Sequence, residues 1–268
     1  MSSARHHRPT PIRMTSDRGR VPLRVANPTP VQPIYRHLAR LGGWLLRRLV
    51  DRDWDSAENL PTTGGVIVVS NHISNVDPLC LGQYLIWNGR WPRALIKADL
   101  FAMPVLGRLA RVTAQIPVER GTERAEEALT RAGEALAAGE CVLIYPEGTI
   151  TADPDTWPMT PHPGVAKLAL ATGAPVIPIG QWGANFVMPG KKLVWPRFRP
   201  RRTMIFRAGP PIDLADLRGS RAPADVLLAG ERIMAAVTGL VAEIRGETPP
   251  EDVYDLRAGH RVPRGAGA

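Results

Sequence analysis

A histidine and an aspartate separated by five positions, His72 and Asp77, are the first residues of this chain whose types can do chemistry. An imidazole that is held by a carboxylate at one ring nitrogen can accept a proton at the other, which makes the pair a candidate general base with its orienting group. This spacing does not place two side chains on one face of a regular helix, so a turn must fold Asp77 back onto the ring. The competing interpretation is a turn histidine that is bonded to backbone groups.

The residues around the pair predict the turn that would position it. Residues 66–69 form a short run of β-branched residues bounded by Gly65 and Asn71, which predicts a buried strand. Asp77 is followed by proline, which is favoured in the first turn of a helix, and the predicted helix ends at Trp87. His72 then lies at the carboxyl end of a strand, where open α/β sheets bind their ligands.

Strands and helices alternate through the centre of the chain. The hydrophobic periodicity predicts strands at 93–97, 114–118, 141–145, 176–181 and 203–208. It predicts helices at 34–50, 77–87, 104–112, 122–138, 164–172 and 223–245. This alternation indicates an α/β fold with a mixed, mostly parallel sheet flanked by helices, preceded by an N-terminal amphipathic helix.

Positive charge is concentrated near the N-terminus. Residues 1–50 contain ten arginines and one aspartate, a balance of +9 that equals the net charge of the whole chain. We expect a disordered basic arm at 1–30, a single domain at 31–248 and a flexible C-terminal tail at 249–268. A basic arm attracts polyanions, either nucleic acid or an anionic membrane surface. Aromatic residues make up 6% of the chain and form no base-stacking platform within the basic run, which argues against nucleic acid.

The helix predicted at 34–50 has two interpretations. Ile34, Leu38, Leu41 and Leu45 recur at helical spacing while arginines occupy another face, a composition that suits a helix lying in a membrane interface. A helix that packs against the domain core has the same periodicity. The first interpretation predicts a peripheral protein on the cytoplasmic face of the cell membrane, because no apolar run spans a bilayer and no secretory signal is visible.

Neither metal chemistry nor a covalent intermediate is indicated by the sequence. The two cysteines, Cys80 and Cys141, lie in apolar surroundings and are expected in the core of a reduced cytosolic protein. Histidines at zinc-ligand spacing do not accompany them, so no metal site is predicted. No serine or cysteine occurs in a nucleophile-elbow pattern, which argues against a covalent mechanism.

Four ordered blocks of the sequence resemble the glycerolipid acyltransferase family, which includes bacterial 1-acylglycerol-3-phosphate acyltransferases. The N-H-x-x-x-x-D motif of that family is similar to residues 71–77, its F-P-E-G-T-R motif to residues 145–149, and its V-I-P-V strand to residues 176–179. Residues 115–120 resemble the block whose terminal arginine is associated with the phosphate of the acceptor, and the segment leading to it begins at Lys97. The resemblance covers roughly residues 34–245.

The resemblance implies transfer of a fatty acyl chain from an acyl thioester, either acyl-CoA or acyl carrier protein, to the sn-2 hydroxyl of 1-acylglycerol-3-phosphate. No cofactor is implied, and the implied partners are the donor, the lysophospholipid acceptor and an anionic membrane surface, without nucleic acid. His72 and Asp77 are the implied catalytic residues. The implied substrate-binding residues are Asn71, Lys97, Arg120, Glu147, Gly148 and Thr149.

Each implied substrate-binding role has a physical reason. Arg120 would bind the acceptor phosphate, because a guanidinium is planar and bidentate, and Lys97 would be a second cation. Glu147 would orient the acceptor or Arg120. The turn amides around Gly148 are candidates for stabilising the oxyanion that forms on the thioester carbonyl.

The departures from the family pattern leave the acceptor open. Ile150 stands where the family has arginine, and Asp99 stands where the family more often has glutamate. An acyltransferase acting on another lysophospholipid or on a glycolipid is therefore the first alternative. A non-catalytic basic membrane-binding protein is the alternative from another class.

Overall fold

A computed structural model describes residues 22–119, 124–191 and 194–265 of the chain. The helices are α1 (Leu23–Ala26), α2 (Pro33–Leu49), α3 (Asp77–Trp87), α4 (Asp99–Ala102), α5 (Pro104–Val112), α6 (Arg124–Ala137), α7 (Gly164–Thr172), α8 (Ala184–Val187) and α9 (Pro223–Arg245). The strands are β1 (Val50–Asp55), β2 (Val66–Ser70), β3 (Pro92–Lys97), β4 (Ile116–Val118), β5 (Cys141–Ile144), β6 (Val176–Trp182), β7 (Arg202–Ala208), β8 (Val253–Asp255) and β9 (His260–Val262).

Seven strands form one sheet in the order β1-β7-β6-β2-β5-β3-β4. Strands β2 to β6 run parallel to their neighbours, whereas β7 is antiparallel to β6, and β1 is parallel to β7. The predicted mixed, mostly parallel sheet flanked by helices is confirmed. Because β2, β3, β5 and β6 all end at the same edge, the residues that follow them are brought together there. We refer to it as the carboxyl edge.

The sheet is covered on both faces, which explains why its central strand is uniformly apolar. Val66 and Val68 of β2 point into a cluster with α1, α2 and α3, while Ile67 and Val69 point into a second cluster with α6, α7 and α9. All four side chains are fully buried. A parallel strand with helices on both sides has no solvent face, so its sequence does not alternate between polar and apolar residues.

Several predicted elements agree with the structure at both ends, and others differ or were missed. The predicted bounds of α3, α5, α7 and α9 are confirmed at both ends. Strand β1 was not predicted, because the acidic residues Asp51, Asp53 and Asp55 interrupt its apolar pattern at the edge of the sheet. Strand β4 begins at Ile116 and not at Ala114, whose backbone has a positive φ of 54° and cannot continue a strand.

The structure places residues 22–30 against the domain, which differs from the disordered arm expected for 1–30. Leu23 and Asn27 are buried, and the Asn27 amide donates a hydrogen bond to the carbonyl of Ile86. The guanidinium of Arg36 donates to the carbonyls of Asn27 and Thr29. Residues 1–21, which carry the rest of the predicted arm, lie outside the described residues.

Helix α2 has a small-residue face toward the domain and a large apolar face away from it. Gly43 packs so closely on α3 that an added Cβ would lie 2.6 Å from the Trp87 ring. Ala39 and Leu46 are buried on the same side. The core-packing interpretation therefore holds for this face. The opposite face exposes Ile34, Leu41, Trp44 and Leu45.

The C-terminal segment is ordered through residue 265, which differs from the flexible tail expected for 249–268. Strands β8 and β9 form an antiparallel hairpin. Arg261 on β9 makes a two-pronged ion pair with the buried carboxylate of Asp153 and a further contact with Asp155. The Thr160 amide donates to the carbonyl of Tyr254. Composition did not reveal this hairpin because its anchors lie about a hundred positions away in sequence.

We predict that Arg261→Ala lowers the free energy of unfolding by about 2 kcal/mol, because it leaves the Asp153 carboxylate buried without its cation. The value is set below that of a fully buried pair because the Arg261 side chain is 30% exposed. Chemical denaturation measures the change. Arg264→Ala is the control, since Arg264 is exposed and bonds to the backbone carbonyls of Pro250 and Glu251. Equal stability of the two variants would refute the anchoring role.

Candidate active site

The turn between β2 and α3 brings His72 and Asp77 into contact. The His72 Nδ1 atom lies 2.9 Å from Asp77 Oδ2. The same carboxylate oxygen accepts hydrogen bonds from the amides of Ile73 at 2.6 Å and Ser74 at 2.8 Å. Asp77 is completely buried at the start of α3. The aspartate therefore holds both the imidazole and the turn that carries it.

The imidazole of His72 is fixed on two sides. Asp77 occupies Nδ1, and the ring of Tyr145 stacks on the imidazole with centroids 4.2 Å apart and an interplanar angle of 20°. The His72 side chain remains 16% exposed. Because Nδ1 is engaged, Nε2 is the ring nitrogen to which no hydrogen bond is assigned among the described residues.

The backbone of His72 is held by the turn that follows β5. Its amide donates to Glu147 Oε1 at 2.9 Å, and its carbonyl accepts from the amide of Thr151 at 2.8 Å. The second carboxylate oxygen of Glu147 accepts from the amide of Met159 at 3.1 Å. Glu147 is 1% exposed. It therefore holds the backbone of His72, and its predicted role in orienting the acceptor or Arg120 stays a prediction, because Arg120 lies outside the described residues.

Burial shifts the pKa values of both carboxyl groups near His72. Desolvation raises the pKa of Glu147 to about 8, although the hydrogen bonds from the His72 and Met159 amides act in the opposite direction. Desolvation also raises the pKa of Asp77, and the hydrogen bond and positive charge of His72 oppose it, followed by the amides of Ile73 and Ser74. The charge of Asp77 contributes a further small increase to the pKa of Glu147.

Asn71 joins the ends of β2 and β6, and its predicted substrate-binding role stays a prediction. Its side-chain amide donates to the carbonyl of Gln181 at 3.0 Å, and its side-chain oxygen accepts from the Gln181 amide at 2.9 Å. The Gln181 side chain donates in return to the Asn71 carbonyl. Asn71 is fully buried, so this reciprocal pair sets where His72 leaves the sheet.

In the turn at 147–151, some backbone amides donate hydrogen bonds within the described structure and others have no assigned acceptor there. The Gly148 amide donates to the carbonyl of Tyr145 at 2.9 Å, and Gly148 has a positive φ of 67° that favours glycine. That amide is therefore used by the turn, and the predicted oxyanion role of the turn amides around Gly148 stays a prediction. Thr149 is half-buried and Ile150 is buried. Among the described residues, no hydrogen bond is assigned to the amides of these two residues.

Of the two predicted phosphate cations, the described residues include Lys97. Lys97 ends β3 at the carboxyl edge, where it is largely exposed and forms an ion pair with Asp99. Arg120 lies outside the described residues. Lys97 therefore reaches the site edge as a surface cation with an acidic neighbour.

Several residues that position the site gave no sequence signal of their own. Tyr145 was part of a quoted motif, but its stacking on His72 depends on β5 lying beside β2. Gln181 and Thr151 act through backbone contacts. Ser74 donates from its hydroxyl to the carbonyl of Met188 at 2.7 Å, which holds the segment after α8 over the His72 turn. Contacts of this kind join distant segments, so local spacing does not reveal them.

The described residues include neither a metal-ligand cluster nor a membrane-spanning helix. They contain no group of three or more histidine, cysteine, aspartate or glutamate side chains arranged to hold a metal ion. No helix among them is both long enough and apolar enough to cross a bilayer.

Comparisons with known proteins show which proteins the chain is similar to. The family described as Acyltransferase matches residues 53–182, from within β1 to the end of β6. The chloroplastic 1-acyl-sn-glycerol-3-phosphate acyltransferase BAT2 of Brassica napus is 32% identical over 142 residues, covering 51% of this chain and 39% of its own length. The 1-acyl-sn-glycerol-3-phosphate acyltransferase of Borreliella burgdorferi is 30% identical over 131 residues, covering 48% of this chain and 50% of its own length.

A solved structure shares the fold. The crystal structure of the 1-acyl-sn-glycerophosphate (LPA) acyltransferase PlsC from Thermotoga maritima superposes with a TM-score of 0.62 at 21% identity, covering 81% of this chain and 82% of that one. The chain spans half or less of the length of the two curated relatives described above. The predicted resemblance to the acyltransferase family is confirmed by the family match and by these relatives.

We predict that the stability of the protein falls as pH rises from 4.5 toward 8, because of Glu147. The pKa of this group is 4.5 in its ordinary state and about 8 in the fold, so the folded chain binds more protons than the unfolded chain in this range. The stabilisation by Glu147 is complete below pH 4.5 and is lost as the pH rises through about 8. The free energy of unfolding falls by roughly 4 kcal/mol over this range.

Chemical denaturation across that pH range measures the slope. Glu147→Gln has no proton to lose, so its stability should change less with pH than that of the wild type. Glu243→Gln, which alters an exposed carboxyl on α9, is the control and should keep the wild-type slope. An unchanged slope in Glu147→Gln would show that the buried carboxyl does not titrate there.

Proposed function

We propose that the protein transfers a fatty acyl chain from an acyl thioester to the sn-2 hydroxyl of 1-acylglycerol-3-phosphate, giving phosphatidic acid for phospholipid synthesis. The observation that carries the proposal is the buried contact between Asp77 and His72 Nδ1, which directs Nε2 to the carboxyl edge of an acyltransferase domain. Both relatives described above are named 1-acyl-sn-glycerol-3-phosphate acyltransferases, which supports this acceptor.

His72 serves as the general base in the proposed reaction. Its Nε2 accepts the proton of the acceptor hydroxyl as the oxygen attacks the carbonyl carbon of the thioester. Asp77 stabilises the imidazolium that forms and keeps the ring in one tautomer. The C–S bond then breaks, and the proton on the imidazolium passes to the departing thiolate. A thioester is already activated, so deprotonation and positioning supply most of the required catalysis.

The oxyanion that develops on the thioester carbonyl requires hydrogen-bond donors. The amides of Gly148 and Thr151 are used within the fold, by the carbonyls of Tyr145 and His72. This leaves the amides of Thr149 and Ile150 as the candidates in the turn beside His72. Thr149 also keeps its proposed place in substrate binding, because its backbone amide is one of these two candidates.

Arg120 and Lys97 are the proposed ligands of the acceptor phosphate. A bidentate guanidinium suits a phosphate dianion, and Lys97 lies at the same edge of the sheet as His72. The buried side chain of Ile150 cannot provide the cation that the family has there. This difference supports a second candidate function, acylation of another lysophospholipid or of a glycolipid.

The donor and the membrane surface complete the proposal. Either acyl-CoA or an acyl carrier protein supplies the thioester. The acceptor is an amphiphile, so the protein binds the cytoplasmic face of the cell membrane as a peripheral protein. The exposed apolar face of α2, which includes Leu41 and Trp44, supports this docking together with the arginines of the same helix.

We predict that His72→Ala reduces the rate of thiol release by about 10²–10⁴-fold when an acyl thioester and lysophosphatidic acid are supplied, because the hydroxyl loses its base. Asp77→Asn should also lower kcat, since it removes the negative charge that stabilises the imidazolium. His260→Ala is the control, because His260 is an exposed residue of the C-terminal hairpin. Wild-type rates in the His72→Ala variant would refute the general-base assignment. If the wild-type protein turned over no donor, a non-catalytic membrane-binding protein would be favoured.

We predict that lysophosphatidic acid reacts faster than lysophosphatidylcholine or a lysoglycolipid, because its phosphate is an unsubstituted monoester that Arg120 binds in two places. Arg120→Ala should raise KM for lysophosphatidic acid and change kcat little. Arg218→Ala, an exposed arginine at the opposite edge of the sheet, is the control. If other lysolipids react and lysophosphatidic acid does not, the acceptor is one of the alternatives.

A further inference from the structure

Helices α4 and α5 form a short helical pair whose apolar side faces away from the protein. The two helices pack through Gly107, where an added Cβ would lie 2.1 Å from the carbonyl oxygen of Phe101. Ala110 is buried on the same side. The large apolar side chains are instead exposed, and they are Leu100, Met103, Val105, Leu106 and Leu109.

This arrangement inverts the usual amphipathic pattern. A surface helix of a globular domain turns its large apolar residues toward the core. On α5 the small residues Gly107 and Ala110 face inward, while Val105 is 70% exposed and Leu106 is 47% exposed. Contiguous exposed apolar side chains of this kind mark an interaction surface.

The surface lies at the rim of the candidate active site. Helix α4 begins two residues after β3 ends, and β3 is connected to β2 through β5 with all three strands parallel. His72 follows the end of β2 at the same edge. Helix α2 also ends at this edge. It is followed directly by β1, which begins at Val50 beside Arg202 of β7, and both strands run in the direction opposite to β6. The exposed apolar residues of α4 and α5 therefore border the edge at which a substrate must enter.

The charges around the surface are positive. Arg108 and Arg111 are exposed on α5. Asp99 is the one acidic residue between positions 99 and 112, and it is paired with Lys97. An apolar helix face bordered by arginines matches the boundary between acyl chains and anionic headgroups.

The composition of the surface favours lipid over a protein partner. The five exposed side chains are leucine, methionine and valine, and none is aromatic. Tyrosine and tryptophan dominate the energetically important positions of protein interfaces, whereas flexible aliphatic side chains are suited to a fluid hydrocarbon.

We propose that α4 and α5 insert their exposed apolar face into an anionic lipid bilayer and thereby seat the carboxyl edge of the sheet on the membrane surface. The proposal rests on the proposed function only in that the acceptor is a membrane lipid. It adds a second point of membrane contact to the exposed face of α2. In the strand order of the sheet, α2 adjoins β1 on one side of the His72 turn, and α4 and α5 adjoin β3 on the other. A lysolipid then reaches His72 without leaving the bilayer.

Site-specific labelling tests the insertion directly. Both native cysteines are buried, so a single cysteine at an exposed position can be labelled selectively with an environment-sensitive fluorophore. Labelled Val105→Cys should show a blue-shifted emission when vesicles of phosphatidylcholine and phosphatidylglycerol are added. Leu227→Cys is the matched control, because Leu227 is an exposed leucine near the start of α9, where the helix packs beside α7 at the other edge. A label at position 105 that stays in water would overturn the proposal.

Charge substitution provides a second, independent measurement. The double variant Val105→Glu and Leu109→Glu should bind these vesicles at least about tenfold more weakly than the wild type, because two carboxylates would have to enter the interface. The pair Leu227→Glu and Leu228→Glu is the control and should bind as the wild type does. Turnover of a lysophosphatidic acid presented in vesicles should fall in parallel, while turnover of a short-chain, monomeric acceptor should stay within about twofold.

Each other outcome counts against insertion. Unchanged vesicle binding by the Val105→Glu, Leu109→Glu variant would exclude the surface from membrane contact. A lipid-free wild-type dimer that this variant dissociates would identify an interface between copies of the chain, and a lost interaction with an acidic carrier protein at unchanged vesicle binding would identify a protein-docking site. Vesicle binding is measured without turnover, so a failure of the proposed acyl transfer would leave the result readable.

Discussion

The backbone of His72 depends on one buried carboxyl group. Glu147 accepts the His72 amide with one oxygen and the Met159 amide with the other, so it joins the catalytic turn to the segment that follows β5. Thr151 completes the attachment by donating to the His72 carbonyl. A general base must lie within hydrogen-bonding distance of its proton, so a small displacement of this backbone changes the reach of Nε2. The fold therefore controls the imidazole from its main chain as well as from its ring.

Two buried acids beside one histidine have different tasks because their surroundings differ. Asp77 contacts the imidazole and is surrounded by donors that oppose the effect of burial on its pKa. Glu147 meets backbone amides alone, and desolvation raises its pKa to about 8. Burial raises the pKa of both acids, but only Asp77 has the ring of His72 beside it to oppose that effect.

The sequence predicted those parts of the molecule that local patterns determine. The apolar run before His72, the proline after Asp77 and the alternation of strands and helices were sufficient to predict the sheet and the contact between these two residues. The tasks of Asn71 and Glu147 were not predictable, because their partners lie 110 and 75 positions away. Motif membership indicated that both residues matter for the site. It did not distinguish a residue that holds the backbone from one that binds the substrate.

The C-terminal hairpin makes the order of synthesis relevant to the site. Asp153 lies two residues beyond Thr151, which bonds to the His72 carbonyl, and its cation Arg261 is added 108 residues later. Until β9 leaves the ribosome, the Asp153 carboxylate in the segment behind the catalytic turn lacks its guanidinium. The histidine and its aspartate are therefore translated early, but their support is complete only after the hairpin has docked. The site is therefore fully assembled only late in the synthesis and folding of the protein.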